Sequence, residues 1–239
     1  MAAPTLVQYT GEGFVFTDYA SSTTHNVAMP ATVAAGDLLG IIFGCRDDGN
    51  PATPSGWTRK PDSISDTGEN DVVCFLKDAV GDEDGTNVNI TTANAQVATA
   101  YRFHVLAAEW NGDIANVFAG FATGADNNPN PPLVNPAVSA DYLALVYMLY
   151  NNDGLTITYP TNYTADQLTH ENGTSPLFAT FAAASRALSA ASSEDPGTFG
   201  GGSASQAWIA LTILIAPAAG GGGTAVKDLI GTGFIPFAR

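Results

Sequence analysis

The chain has 239 residues, 45% of them apolar, enough to fill the core of one large β domain or two small ones. Charged residues are 13%, with 25 Gly and 14 Pro, a mixture that favours many short strands and turns over helices. The net charge of −15, from 8 Lys+Arg against 23 Asp+Glu, repels phosphate backbones and anionic lipid, which argues against nucleic acid or a membrane surface as partner.

The N-terminal segment, 1–25, opens "MAAPTLVQYT", with neither a basic region nor an apolar stretch, so no signal peptide is expected. From residue 26 the chain reads as strands. "PATVAAGDLLGIIFG" (30–44) is a small-residue loop, an aspartate and then a buried strand. "PSGWT" (54–58) follows as a strand-to-strand corner. Proline cannot donate to a ladder, Gly56 enters the left-handed region cheaply, and Trp57 can drop a ring into the core. A middle strand, "VVCFLKDAV" (72–80), an acidic loop, "GDEDGTN" (81–87), and a closing strand, "YRFHVLAAEW" (101–110), complete the unit.

The same order then recurs. "PAVSADYLALVYM" (136–148) matches 30–44 and "PTNYT" (160–164) matches the corner, with Asn162 in place of glycine. "WIALTILIAP" (208–217) matches the closing strand, and "KDAVGDEDGT" (77–86) lies more loosely on "SRALSAASSEDPGT" (185–198). Asp37 pairs with Asp141, Trp57 with Tyr163 and Tyr101 with Trp208, at a slowly drifting offset of roughly a hundred residues. Two such half-units, about 26–113 and 130–217, predict one all-β domain: a single β-sandwich, jelly-roll-like, with the two halves sharing a core. Trp57, Tyr163, Tyr101 and Trp208 are the expected core anchors. The alanine-rich stretch 177–192 has helical propensity, but the repeat requires a strand there.

The domain ends near Pro217, followed by a flexible glycine linker, 218–223. Residues 224–239 are too apolar for a solvated tail. Val226, Leu229, Ile230, Phe234, Ile235 and Phe237 want an apolar surface, either a partner's, by strand addition or groove docking, or that of the chain's own sandwich.

Catalytic motifs are not evident: no GxSxG elbow, P-loop, HExxH or GxGxxG after a strand. His104 lies mid-strand, while His25 and His170 fall in polar stretches typical of loops, and no motif pairs any of them with a nucleophile. Glu109 and Asp113 resemble a glycosidase pair only in type. Asp82, Asp84 and Asn87 offer oxygens, yet the EF-hand pattern lacks its closing glutamate, so no metal and no cofactor are expected. The sequons at Asn89, Asn162 and Asn172 follow from an Asn- and Thr-rich composition. Cys45 and Cys74 form either a bridge or two buried thiols, the latter favoured. For a sugar ligand, Trp110 and Tyr150 with Asn151 and Asn152 are the glycan-binding candidates, through ring stacking and amide hydrogen bonds.

The combination "AGDLL…PSGWT…AVGDEDGTNVNI…VLAAEW" resembles a family of Ala/Gly/Thr-rich β-sandwich proteins of tailed bacteriophages and gene-transfer-agent-like particles. Gly36, Asp37, Leu38, Leu39, Pro54, Gly56, Trp57 and Thr58 carry the match in the first half. Asp141, Leu143, Pro160, Tyr163 and Thr164 carry it in the second, over about residues 26–217. The resemblance implies a non-enzymatic virion structural protein, displayed on a capsid or tail and in some cases engaging host surfaces. The expected partners are then the major capsid protein or neighbouring virion subunits, with homo-oligomers on the particle. The alternative is a carbohydrate- or receptor-binding module of a tail or fibre, with a host surface glycan as ligand.

Overall fold

The computed structural model describes residues 2–7, 15–46, 50–61, 65–152, 155–172, 179–202 and 206–219. The docking residues expected at 226–237 lie outside them. Six strands of the first half make one antiparallel sheet: β1 (Val15–Ala28), β2 (Leu38–Arg46), β3 (Thr58–Arg59), β4 (Ser65–Asp66), β5 (Asn70–Asp78) and β6 (Asn87–Val105). Their order is β1-β6-β2-β5-β3, with β4 also paired to β5. The second sheet holds β7 (Val117–Gly124), β8 (Leu143–Tyr150), β9 (Ala165–Asn172), β10 (Ala179–Ala187) and β11 (Trp208–Ile215), in the order β7-β11-β8-β10-β9.

Numbered within each half, the two orders are the same: leading strand, closing strand, central strand, middle strand, corner strand. The sheets face each other in reverse, so that β4 lies against β7, β5 against β11 and β6 against β9. The leading strand of one half therefore sits across from the corner side of the other. A jelly roll passes repeatedly between its sheets; among the described residues this chain passes once, after β6.

Three apolar layers result. Leu38, Ile42, Cys74 and Tyr101 from the first sheet meet Leu145, Tyr147, Phe181 and Ile213 from the second, which forms the shared core. The outer face of the first sheet, with Leu39, Ile41, Phe43 and Phe75, is covered by its own loops through Met29, Val33 and Trp57. The outer face of the second, with Ala144, Val146 and Leu214, is covered by Val134, Tyr163 and Phe199. Both faces of the central strands are thus buried, which is why β2, β8 and β11 read as unbroken apolar runs rather than alternating ones. β10 is a strand, as the repeat requires. Its small side chains suit a crowded central position, and its register against β8 is unbroken from Thr180–Tyr150 to Ala187–Leu143. Cys45 and Cys74 are free thiols on opposite faces of the first sheet, and burial raises the Cys74 thiol pKa.

Two boundaries differ from expectation. Residues before 26 are not a separate segment, because β1 begins at Val15 and pairs with β6 from Val15–Arg102 to Ala28–Asn87. The second half begins before 130, because β7 supplies its leading strand. Both are edge strands of their sheets; β1 has a mixed polar sequence, and β7, VFAGFATG, is only half-buried and interrupted by glycine.

Candidate functional site: two equivalent corners

The two corners close with the same hydrogen bond. Trp57 N donates to Pro54 O at 3.1 Å, and Tyr163 N donates to Pro160 O at 3.1 Å. Gly56 (φ +79°) and Asn162 (φ +70°) occupy the left-handed position that this turn demands. Each aromatic ring then folds onto the outer face of its own sheet. Trp57, Tyr163, Tyr101 and Trp208 are all buried.

Beside each ring stands an acid–base strut at the end of the middle strand. In the first half Lys77 Nζ lies 2.7 Å from Glu83 Oε1. The Glu83 carboxylate also accepts from the backbone N–H groups of Val80 (3.1 Å), Gly81 (2.9 Å) and Asp82 (3.2 Å). Burial alone would raise its pKa, but Lys77 and the N–H groups of Val80 and Gly81 outweigh burial and bring it down to about 2. In the second half Arg186 Nη1 lies 3.3 Å from Glu194 Oε1, which accepts the Tyr163 hydroxyl at 2.9 Å. The Arg186 guanidinium sits 5.6 Å from the centre of the Tyr163 ring. Burial, then Glu194, raises the Tyr163 pKa.

The aspartate of each half is likewise committed to the chain itself. Asp37 accepts from Ala34 N, Ala107 N and His104 Nε2, each at 2.8 Å. Asp141 accepts from Ala190 N at 2.7 Å, which lowers its pKa.

The corners differ in what surrounds the ring. In the second, Arg186 covers Tyr163. In the first, Lys77 is drawn to Glu83, and an open trough of about 440 Å³ is left beside Trp57, also lined by Asp82, Asn87 and Asn89. A second hollow of about 560 Å³ opens where β3 faces the 3₁₀ turn Ile114–Asn116. Its cations are held by backbone, with Arg59 donating to Pro51 O and Lys60 donating to Ala115 O at 3.4 Å.

The expected glycan residues are not assembled for stacking. Trp110 is 2% exposed and donates its indole N–H to Gly36 O at 2.7 Å, and Tyr150 is fully buried in the outer layer of the second sheet. Neither ring offers a face to a sugar, which corrects that expectation. Asn151 instead ties the sheets together at one end, accepting from Arg46 and donating to Glu69 at 2.6 Å; Asn152 O accepts the Thr180 hydroxyl at 2.7 Å.

His25 lies within β1, not in a loop, and is buried, with Nε2 3.2 Å from the Thr92 hydroxyl and a pKa lowered by burial. His170 is in β9. Glu109 accepts from Thr5 N and Oγ1 at 2.7 and 2.6 Å, and Asp113 caps the 3₁₀ turn. Asp84 accepts from Val33 N, and no His/Cys/Asp/Glu group with metal-binding arrangement occurs among the described residues.

Lys77, Glu83, Arg186 and Glu194 did not stand out in the sequence. The signal was present in the loose match of 77–86 to 185–198, which already aligns Lys77 with Arg186 and Glu83 with Glu194. No protein-family model, curated protein or solved structure matches the chain.

Proposed function

We propose that the chain is a non-enzymatic virion structural protein that decorates the outer surface of a phage or phage-like capsid. The observation that carries this reading is the use made of the repeated polar residues. Asp37, Asp141, Glu83 and Glu194, with Lys77 and Arg186, bind the chain's own backbone or one another at matching places in both halves. What the two halves have in common is framework. The motifs behind the phage-protein resemblance are the same packing motifs. A surface with net charge −15 would keep closely spaced copies from associating through their solvent-facing sides. The partners would be the major capsid protein or neighbouring subunits, reached through the apolar segment 224–239.

Particles lacking this protein, mixed with the full chain or with residues 1–219 and imaged by electron microscopy, test the reading. Decoration by the full chain alone is the expected outcome. Equal decoration by residues 1–219 would reject the tail as anchor, and no decoration by either would reject the function.

A second reading, recognition of a host surface glycan, is favoured by the open trough at the Trp57 corner, where the equivalent corner is closed by Arg186.

A further inference from the structure

The two corners act as controls for each other, since they share a turn, a buried aromatic ring and an acid–base strut. Where they part, the difference is local and chemical. Tyr163 spends its hydroxyl on Glu194 and is covered by Arg186. Trp57 has no such cover. Trp110 donates its indole N–H to Gly36 O at 2.7 Å and Trp208 donates to Asp126 Oδ1 at 3.1 Å, but the Trp57 N–H meets no acceptor among the described residues. Trp57 is nevertheless 8% exposed, with the rest of the ring packed into the outer layer of the first sheet. A donor on a ring that rigid, left unmatched beside an open trough, is a fixed hydrogen-bonding position.

The rest of the trough sets the ligand class. Lys77 uses its ammonium on Glu83 but has three N–H bonds, so donors remain. Glu83 is saturated by Lys77 and three backbone N–H groups and has little left to offer a ligand. Asp82, Asn87 and Asn89 add exposed polar wall. One cation against two carboxylates leaves the site slightly negative, which disfavours an anion. The trough is open to solvent, which suits a chain lying across it more than a small molecule enclosed by it. From this geometry we infer that the Trp57 trough binds a neutral oligosaccharide, with Trp57 and Lys77 donating to sugar oxygens and Asp82 accepting from a hydroxyl. This inference rests on the glycan-recognition reading above and assigns it a site and a ligand class.

The test is a glycan array of neutral and acidic oligosaccharides probed with the full chain, followed by titration calorimetry on the best neutral ligand. Asp82→Ala changes only an exposed wall residue, Ser55→Trp places bulk at the exposed lip, and Trp57→Phe removes the N–H while keeping a ring. Each should weaken binding about tenfold, the loss of one good hydrogen bond or of access, while Thr161→Ala at the second corner leaves it unchanged. Thermal unfolding separates lost binding from lost folding, and Asp82→Ala keeps the test valid if Trp57→Phe proves unstable. Wild-type binding that survives both Asp82→Ala and Ser55→Trp would overturn the site and leave glycan recognition standing. A preference for acidic glycans would overturn the ligand class. No binding to any glycan would overturn the recognition reading itself, and capsid decoration would be untouched by that result.

Discussion

Replacing Glu83 with glutamine keeps the shape of the first strut and removes its charge. The depression of the carboxyl from 4.5 to about 2 corresponds to about 3 kcal/mol, at about 1.4 kcal/mol for each pH unit. Lys77 keeps 19% of its side-chain surface in solvent, so screening trims the working figure to about 2 kcal/mol. The sign follows from the direction. A carboxylate favoured in the folded state contributes fully above its unfolded pKa, near 4.5, and that contribution fades as pH falls through about 2. Urea unfolding of wild type and Glu83→Gln at pH 7, 4 and 3 reads the difference directly, since other titrating groups cancel between the two proteins. The variant should be less stable by about 2 kcal/mol at pH 7, with about half of that gap gone by pH 3. A gap that stays constant with pH would mean that glutamine disturbs packing and that the charge contributes little. No gap at pH 7 would refute the strut.

A methyl group at Gly40 would fall within the Phe103 ring on the facing strand, so Gly40→Ala should force the ring aside and lower stability by about 3 kcal/mol, or roughly 6–12 °C in thermal unfolding. At the corners, Gly56→Ala and Asn162→Ala both impose a left-handed backbone on alanine and should cost about 1 kcal/mol each, with Asn162→Gly near neutral. Unequal losses at the two alanine variants in chemical denaturation would show that the corners are not equivalent.

What could be read in advance was local or repeated. The corners were legible because proline, a left-handed residue and an aromatic ring specify a turn within five positions. The strand at 179–187 was legible only through its counterpart, since alanine alone points to helix. The leading strands escaped for different reasons: Val15–Ala28 carries a mixed polar sequence that no periodicity separates from a loop, and Val117–Gly124 is a short, half-buried run of small residues and two phenylalanines with a glycine inside it. Trp110, past the end of β6, turns into the shared core from a segment with no period to read, and Tyr150 escaped for a related reason. Alternation along a strand tells inside from outside only when one face meets water, and here loops cover both outer faces. The struts were hidden by loop length, as the second loop carries two more residues between its strut partners (187–193 against 78–82) and blurs the alignment of Glu83 with Glu194.

Among the described residues the chain crosses between its sheets once, which leaves a single seam. The described strands of the first sheet pair within residues 15–105, and those of the second within 117–215. Two copies could therefore trade halves through the stretch from Leu106 to Asn116, each first sheet facing the other copy's second sheet, with every ladder intact and the same core re-formed. The contacts such an exchange must loosen include those that tie the seam to the second half: Trp110 bridging to Pro217, Asn111 N donating to Ala216 O at 3.0 Å, and Glu109 O accepting from Ala218 N at 2.8 Å. The architecture that closes one molecule thus also supplies a ready way to interlock two.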